Sequence, residues 1–293
     1  MQKVISFDLH APFAVFKKPD INKSLYVTYN MLHRPALMGI LGAIIGLDGF
    51  QVNEQMPDYY EKLRNLRIGI EPLESDKGNF TKTIITYNNS VGYASKEEGG
   101  MLQVTEQTLW LPEKRETLED GTERLVYPGF RCYLMLNMAD QYQARLYENI
   151  LTGQAEFLPY LGKNECSAWW NWTDEENSVQ EYNCQCFLNE YDFQVTSIFI
   201  KERAVREEEA KSKFSFGNIQ AGRFIYFERL PIGYDERLFQ YAFADFAWTN
   251  LKLGKDSTVP DLFNLISPDG MSRIVQLFNY ETVLPEIKNE KSE

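Results

Sequence analysis

The chain has 293 residues, enough for one large or two modest domains, and 14% of them are aromatic. Its formal net charge of −12 excludes a generally basic protein but allows a local basic patch. Residues 1–70 hold 8 basic and 6 acidic residues, a net charge of +2, whereas each later part of the chain is net negative. The N-terminal block is therefore the net-positive part of an acidic chain.

The first predicted elements are a strand from Val4 to Phe16, a loop at residues 17–19 and a helix from Pro35 to about Leu47. Proline suits the first turn of a helix, where its missing N–H is not needed. Asp48-Gly49 is expected to end this helix.

Small residues recur along this helix at spacings of three and four, namely Ala36, Gly39, Ala43 and Gly46. Such a stripe predicts that another backbone packs closely against the helix. A second interpretation concerns the helix N-terminus, which favours anions and has His33 and Arg34 beside it. The two interpretations are compatible, one for the body of the helix and one for its start.

Further strands are predicted at residues 66–70, 81–87 and 130–136, and Asp140 is expected to cap a helix that ends near Leu151. Between them, residues 88–128 are polar and charged, and Asp120-Gly121 predicts a two-residue hairpin turn. A hairpin with charged flanks buries little, so this segment is expected to project from the body. The order resembles a ferredoxin-like β-α-β-β-α-β unit with an excursion before its last helix.

The second half of the sequence is less regular. Residues 161–172 predict a loop with a tryptophan cluster, more typical of a core or subunit contact than of base stacking. Strands are predicted at 192–200 and 223–229, a solvated helix or linker at 201–213, and a disordered tail from residue 285. The predicted fold class is α+β. It has a ferredoxin-like region at 1–154, with 88–128 as the projecting hairpin, and a β-rich region at 155–293.

Metal, cofactor and membrane classes are not favoured. Cys184 and Cys186 are too close in sequence for the usual zinc site, and the histidines, His10 and His33, lie far from them. Neither a metal nor a cofactor is predicted, and free thiols in a reducing cytoplasm are expected. The longest apolar run, residues 36–47, is shorter than the roughly 20 residues that span a bilayer, and no signal peptide is expected, because residues 1–3 lead directly into a strand pattern.

The N-terminal segment "FDLHAPFAVFKKPDINKSLYVTYNMLHRPALMGILGAIIGL" resembles the signature of the CRISPR-associated Cas-five family, a RAMP-superfamily subunit of type I Cascade complexes. An aromatic-basic-Pro element (residues 16–19), a Thr-Tyr pair (28–29), Arg34 with Pro35 and the small-residue helix carry the resemblance. "LGKNEC" (161–166) and "YFERLPIGYDE" (226–236) support it, and type I-B members are the most similar.

The resemblance implies a ferredoxin-like RAMP domain whose hairpin acts as a thumb, and a non-catalytic role in RNA-guided recognition of foreign DNA. The chain would bind the 5′ handle of the CRISPR RNA and cap the backbone filament. It would contact Cas-seven and Cas-eight family subunits and, indirectly, target DNA. The candidate RNA-binding residues are Lys17, Lys18, Thr28, Tyr29, His33, Arg34, Lys114, Arg115 and Lys163.

Two alternatives remain open. A metal-independent endoribonuclease that processes precursor CRISPR RNA would need a general base and a proton donor. Here the base would be His10 or His33, with Tyr26, Tyr29 or a lysine as the donor. A protein-interaction scaffold without RNA contact is the other alternative.

Overall fold

The computed structural model is a mixed, strand-rich molecule with few helices. Its description covers residues 1–21, 25–88, 103–171, 178–200, 222–255 and 257–280. The helices are α1 (Arg34–Ile45), α2 (Asp58–Lys62) and α3 (Gln141–Leu151). The strands are β1 (Gln2–His10), β2 (Phe13–Ala14), β3 (Phe16–Lys17), β4 (Thr28–Tyr29), β5 (Arg67–Leu73), β6 (Thr81–Asn88), β7 (Gln103–Trp110), β8 (Lys114–Thr117), β9 (Glu123–Val126), β10 (Gly129–Asn137), β11 (Gln180–Cys186), β12 (Phe199–Ile200), β13 (Ile225–Asp235), β14 (Gln240–Thr249), β15 (Leu262–Ile266) and β16 (Ser272–Gln276).

The main sheet has six strands in the order β16-β15-β11-β1-β10-β5, and each described pairing is antiparallel. Side chains alternate between its faces, as the pleat of a strand requires. Phe7 and Leu9 of β1 are fully buried in one core with Leu37 of α1 and Leu146 of α3. Strands from both sides of residue 154 pair here, so one sheet spans both predicted regions.

Local signals set the helix ends. Asp140 Oδ1 accepts hydrogen bonds from the backbone N–H groups of Tyr142 and Gln143, which confirms the predicted cap of α3. The helix predicted at Pro35–Leu47 is α1, which ends earlier than expected. Gly46 adopts the left-handed conformation with φ of 75° and terminates it, rather than Asp48-Gly49.

The predicted N-terminal strand is interrupted. β1 ends at His10, and the short strands β2 and β3 follow it instead of one strand to Phe16. The strands predicted at 66–70 and 130–136 are β5 and β10, both in the main sheet. The strand predicted at 81–87 is β6, but it lies in a separate three-stranded sheet, β2-β7-β6.

The predicted projecting segment, 88–128, divides into a buried part and an exposed part. β7 packs into the body, with Leu109 and Leu111 in the core and with Glu106 and Thr108 also buried. Because polar side chains of this strand point inward, the sequence pattern had indicated a projecting, exposed segment. The strongly exposed part is the β8–β9 hairpin, residues 114–126, called the exposed hairpin below. Residues 89–102 lie outside the described part of the chain.

The turn of the exposed hairpin is longer than the two residues predicted. The Leu118 N–H donates to Thr122 O at 2.8 Å, and the Gly121 N–H donates to Leu118 O at 2.9 Å. Asp120 Oδ1 accepts from the Thr122 N–H at 2.9 Å, and Gly121 has φ of 82°. The loop therefore has three residues, 119–121, and the Asp120 carboxylate closes it locally.

Deleting the exposed hairpin is expected to leave the fold intact. Replacing residues 114–126 with a short Gly-Ser linker removes mainly exposed side chains. Tyr127 must be kept, because its ring packs against His10 and Trp169. We expect the melting temperature to change by only a few degrees, measured by circular dichroism. A deleted protein that fails to fold would place the hairpin in the core.

The second half contains β11 to β16. The strand predicted at 192–200 is mostly irregular, with only β12 at its end, whereas the one predicted at 223–229 is part of the longer β13. Trp170 is buried and donates its indole N–H to Ile150 O at 3.0 Å, and Trp169 is partly exposed. Trp172, the charged run at 201–213 and the tail from 285 lie outside the described residues. No helix in the described chain is long and apolar enough to cross a membrane.

Candidate nucleic-acid interface

A groove of about 820 Å³ runs along helix α1, here called the α1 groove. Its floor is the predicted small-residue stripe, Ala36, Gly39 and Ala43, which is the face of α1 that the core leaves partly exposed. A helix of 12 residues is about 18 Å long, so the groove has the dimensions of an extended ligand rather than a single ion.

Close packing occurs at Gly42, which the predicted stripe did not include. A Cβ atom at Gly42 would lie 2.4 Å from the Cβ of Tyr59 in α2, so only glycine admits this approach. At Gly39 the nearest atom to such a Cβ would be in the Tyr59 ring at 3.8 Å, an ordinary contact. One face of α1 therefore packs on α2, and the neighbouring stripe stays open as the groove floor.

Tyrosines form one wall of the groove. Tyr59, Tyr234 and Tyr241 line it, and the rings of Tyr234 and Tyr241 lie 5.0 Å apart. Burial raises the pKa of each of these three phenols, so they stay neutral at physiological pH. The wall therefore offers aromatic faces and neutral hydroxyl groups, but no charge.

Part of the groove lining is apolar and open to solvent. Phe157 and Leu158 line the groove with 53% and 69% of their surface exposed. The Phe157 N–H donates to Ala43 O at 3.0 Å, which fixes this segment on the last turn of α1. Exposed apolar side chains beside a groove indicate a binding surface.

Two lysines mark the end of the groove near the start of α1. The Lys17 Nζ lies 3.5 Å from the centre of the Tyr26 ring, and no ion pair to Lys17 is seen in the part of the chain that is described. The Lys163 Nζ donates to Glu106 Oε1 at 2.7 Å and to the Tyr87 hydroxyl at 3.0 Å. Burial lowers the pKa of Lys163, but these hydrogen bonds outweigh it and the pKa is raised, so the group stays charged.

Backbone packing brings the two lysines to the same end. Leu161 O accepts a hydrogen bond from the Val15 N–H at 3.0 Å, so the loop that carries Lys163 lies beside the segment that carries Lys17. Gly162 has φ of 88°, and a Cβ atom there would lie 1.9 Å from Val15 O. The predicted residues Lys17 and Lys163 therefore share one site.

Thr28 and Tyr29, both predicted to contact RNA, are buried instead. Thr28 Oγ1 accepts from the Phe16 N–H and donates to Tyr29 O, both at 2.8 Å, so β3 and β4 use its hydrogen-bonding capacity. Burial raises the pKa of Tyr29. Lys18, the other predicted lysine of this region, forms an ion pair with Glu228 at 3.5 Å. Its charge is partly compensated, and it does not line the groove.

Arg34 does not face an external ligand. Its side chain is 1% exposed, and its guanidinium donates to the backbone oxygens of Ile232 (3.2 Å), Arg64 (2.6 Å) and Leu66 (3.4 Å). Burial lowers its pKa to about 10, which still leaves it charged at neutral pH. The predicted phosphate contact does not fit this position, because the guanidinium is buried and donates to carbonyl groups of two separate segments, residues 64–66 and Ile232 of β13.

His33 lines the groove as part of the helix cap. Its Nδ1 accepts the Ala36 N–H at 3.3 Å, and the ring stands edge-on to those of Phe16, Tyr29 and Tyr241. Burial lowers its pKa to about 3, so the ring is neutral. A neutral imidazole whose Nδ1 accepts carries its proton on Nε2. His33 can therefore donate a hydrogen bond, but it is neither a cation nor a general base in this state.

Lys114 and Arg115 lie on the exposed hairpin, outside the groove. Lys114 Nζ donates to Glu74 O at 2.6 Å, and Arg115 pairs across the hairpin with Glu123 at 3.2 Å. Both pairings are exposed, and exposed ion pairs contribute little and exchange readily. The hairpin cations are thus separate from the pair at the groove.

Most of the tyrosines and the carboxylate that line the site were not predicted from the sequence. Tyr87, Glu106, Tyr59 and Tyr241 were not singled out, and Tyr26 was considered only as a proton donor. Tyr234 was noted as part of "YFERLPIGYDE" without a role. The abundance of tyrosine, 17 residues, was the available signal, but it does not say which ones meet.

Other chemistry has little support in the described residues. They hold no group of three or more His, Cys, Asp and Glu side chains arranged for a metal ion. His10 lies under Tyr127 and Trp169, away from the groove lining, and burial lowers its pKa.

No family model and no curated protein sequence matches this chain. Several solved structures that resemble it are described as CRISPR or Cas proteins, and another is a functionally uncharacterized protein from Streptococcus mutans. A CRISPR protein from Archaeoglobus fulgidus has a TM-score of 0.43 and 10% identity, with 95% of this chain and 99% of that one covered. A chain of a CRISPR RNA-guided surveillance complex has a TM-score of 0.41 and 9% identity, with 86% and 90% covered.

A chain of a type III-B Cmr-beta complex bound to cognate target RNA and AMPPnP also has a TM-score of 0.41, with 10% identity and 87% and 86% covered. These are distant likenesses, with TM-scores below 0.5. By themselves they do not indicate what this chain binds.

Proposed function

We propose that this chain is a non-catalytic subunit of a type I CRISPR Cascade complex and that it binds the 5′ handle of CRISPR RNA in the α1 groove. The observation that carries the proposal is the groove itself, which combines aromatic walls with two lysines at one end. Proteins bind unpaired RNA in this way, by stacking bases on aromatic rings and by holding the backbone with cations.

The fold supports the same assignment. Among the strands of the main sheet, β1, β5, β10 and β11 stand in the order β11-β1-β10-β5, with α1 between β1 and β5 and α3 between β10 and β11. This order supports our assignment of a β-α-β-β-α-β, ferredoxin-like unit, and we assign it to a RAMP domain of the Cas-five family, with type I-B members the most similar.

The charge distribution fits a subunit with a small RNA contact. A chain of net charge −12 repels nucleic acid over most of its surface. RNA would meet it at the α1 groove, and other surfaces would meet protein. In this proposal the exposed hairpin contacts the adjacent Cas-seven family subunit, a Cas-eight family subunit docks nearby, and target DNA is reached through base pairing in the cytoplasm.

The proposal assigns no catalytic role to the chain. Metal-free RNA cleavage needs a base that accepts the 2′-hydroxyl proton. Because the helix cap uses Nδ1 of His33 as an acceptor, its remaining nitrogen carries a proton. His10 does not line the groove. These positions favour RNA binding over the endoribonuclease alternative.

Replacing Lys17 with Gln is expected to weaken binding of single-stranded RNA about five- to tenfold, the equivalent of about 1–1.4 kcal/mol. One phosphate contact fewer also releases fewer counterions, so the slope of log K against log salt should become shallower by about 0.7. Fluorescence anisotropy with labelled handle RNA at several salt concentrations measures both quantities.

The matched control is Lys252→Gln, which removes an exposed lysine that does not line the groove. It should leave both the affinity and the slope unchanged. Labelled precursor RNA, incubated without metal, should stay uncut in the same assay. The proposed interface would be rejected if the two variants bound RNA equally well, or if the wild-type protein did not bind RNA. Cleavage of the precursor RNA would favour the endoribonuclease alternative.

A further inference from the structure

The two ends of the α1 groove differ in charge. Lys17 lies near the start of α1 together with Lys163 and its ion-pair partner Glu106, a net charge of +1, and Asp48 lies just beyond the end of the helix. The dipole of a helix adds partial positive charge at its N-terminus and partial negative charge at its C-terminus. The fixed charges and the helix dipole therefore have the same direction, and an anionic group is favoured at the lysine end.

The middle of the groove suits a flat apolar group. Gly39 leaves the floor without a side chain, and the Tyr59 ring borders this position at 3.8 Å from where a Cβ would be. Phe157 also lines the groove, and its N–H donates to Ala43 O, one turn further along α1. A nucleobase can stack on such rings whatever its identity, because every base has a π-face.

A polar group at the lysine end, His33, has a ring nitrogen with no hydrogen bond to the residues that the structure describes. His33 is 4% exposed and lines the groove, and no hydrogen bond of its Nε2 is seen within the described chain. Because Nδ1 accepts the Ala36 N–H, the Nε2 proton is a fixed donor. It can complete the set of donors for a ligand oxygen next to the lysines.

We propose that the α1 groove holds one nucleotide of the RNA in a single orientation, with its phosphate at Lys17 and Lys163 and its base over Gly39 against Tyr59. This inference rests on the proposed function, and it names how the ligand lies in that same site. It predicts that loss of a lysine charge weakens the binding of ligands that carry a phosphate. Filling the groove floor with a side chain should weaken the binding of nucleotides, which place a base there.

The test uses four probes on the full chain: a decamer of uridine, uridine 5′-monophosphate, uridine and inorganic phosphate. Gly39→Leu fills the floor, and leucine is the better helix former, so the variant should stay folded. We expect it to weaken the decamer and the monophosphate at least tenfold. Lys17→Gln should weaken the monophosphate and inorganic phosphate about fivefold and leave uridine unchanged.

Ala43→Leu is the second filling variant, one turn further along the floor, in case Gly39→Leu is destabilised. A decamer that carries 5-iodouridine adds a direct measurement, because this base crosslinks to aromatic rings on which it stacks. Mass spectrometry should place the crosslink on Tyr59 or another groove ring. A crosslink confined to the exposed hairpin would overturn the inference.

The outcomes separate the two claims. If the wild-type protein binds the decamer and neither filling variant weakens it, the orientation is wrong and RNA binding stands. If no RNA binds, the proposed function fails with it. If the monophosphate binds but the decamer does not compete with it, the groove is a site for free nucleotides, which overturns the assignment to RNA.

Discussion

Replacing Arg34 with Ala is expected to lower the free energy of unfolding by about 3–5 kcal/mol, because the change leaves buried backbone oxygens without a donor. The guanidinium holds together the start of α1, the segment before β5 and the middle of β13 through Leu66, Arg64 and Ile232. Urea denaturation followed by circular dichroism measures the loss. A folded Arg34→Ala protein should keep the salt dependence of RNA binding of the wild-type protein.

Arg64→Ala is the matched control for charge. The Arg64 side chain is exposed and pairs with Glu236 at 2.8 Å, and its backbone oxygen still accepts from Arg34 after the change. Such a pair contributes about 0–1 kcal/mol, so stability should hardly change. If Arg34→Ala were as stable as this control and bound RNA more weakly, Arg34 would belong to the RNA interface after all.

For Arg34, the helix in which it lies was predictable from the sequence, but the contacts of its side chain were not. The helix that it begins was predictable, because proline at its start and the apolar spacing are local signals. The direction of its side chain was not, because Arg64 and Ile232 are 30 and 198 residues away. A basic residue at a helix start gives the same sequence pattern whether its side chain faces solvent or backbone carbonyl groups. Only the tertiary packing determines which of the two it faces.

The same limit applies to β7 and the groove. The polar segment 88–128 was predicted to project from the body, yet its Glu106 and Thr108 are buried, and Glu106 is paired with Lys163 from a distant loop. The lysines could be nominated from the net-positive block and from a family-like loop. The grouping of these lysines in one site could not be predicted, because the groove is lined by segments that lie between residues 15 and 241 of the chain.

Gly162→Ala is expected to destabilise the protein by about 2–5 kcal/mol and to weaken RNA binding in the molecules that remain folded. Gly162 has φ of 88°, a conformation that is unfavourable for alanine by about 1–2 kcal/mol. The added Cβ would also lie 1.9 Å from Val15 O, a backbone atom that cannot rotate away. The loop must therefore move away from the Val15 backbone and take Lys163 with it.

Gly121→Ala separates the two causes of this effect. Gly121 has φ of 82°, so alanine meets the same backbone strain there, but nothing lies within 4 Å of its added Cβ. The difference in unfolding free energy between the two variants measures the cost of the steric clash between a Cβ atom at residue 162 and the Val15 backbone. RNA affinity should fall for Gly162→Ala and stay constant for Gly121→Ala. Equal stability losses would mean that the loop is not tightly seated, and the two lysines would then not be held at one end of the groove.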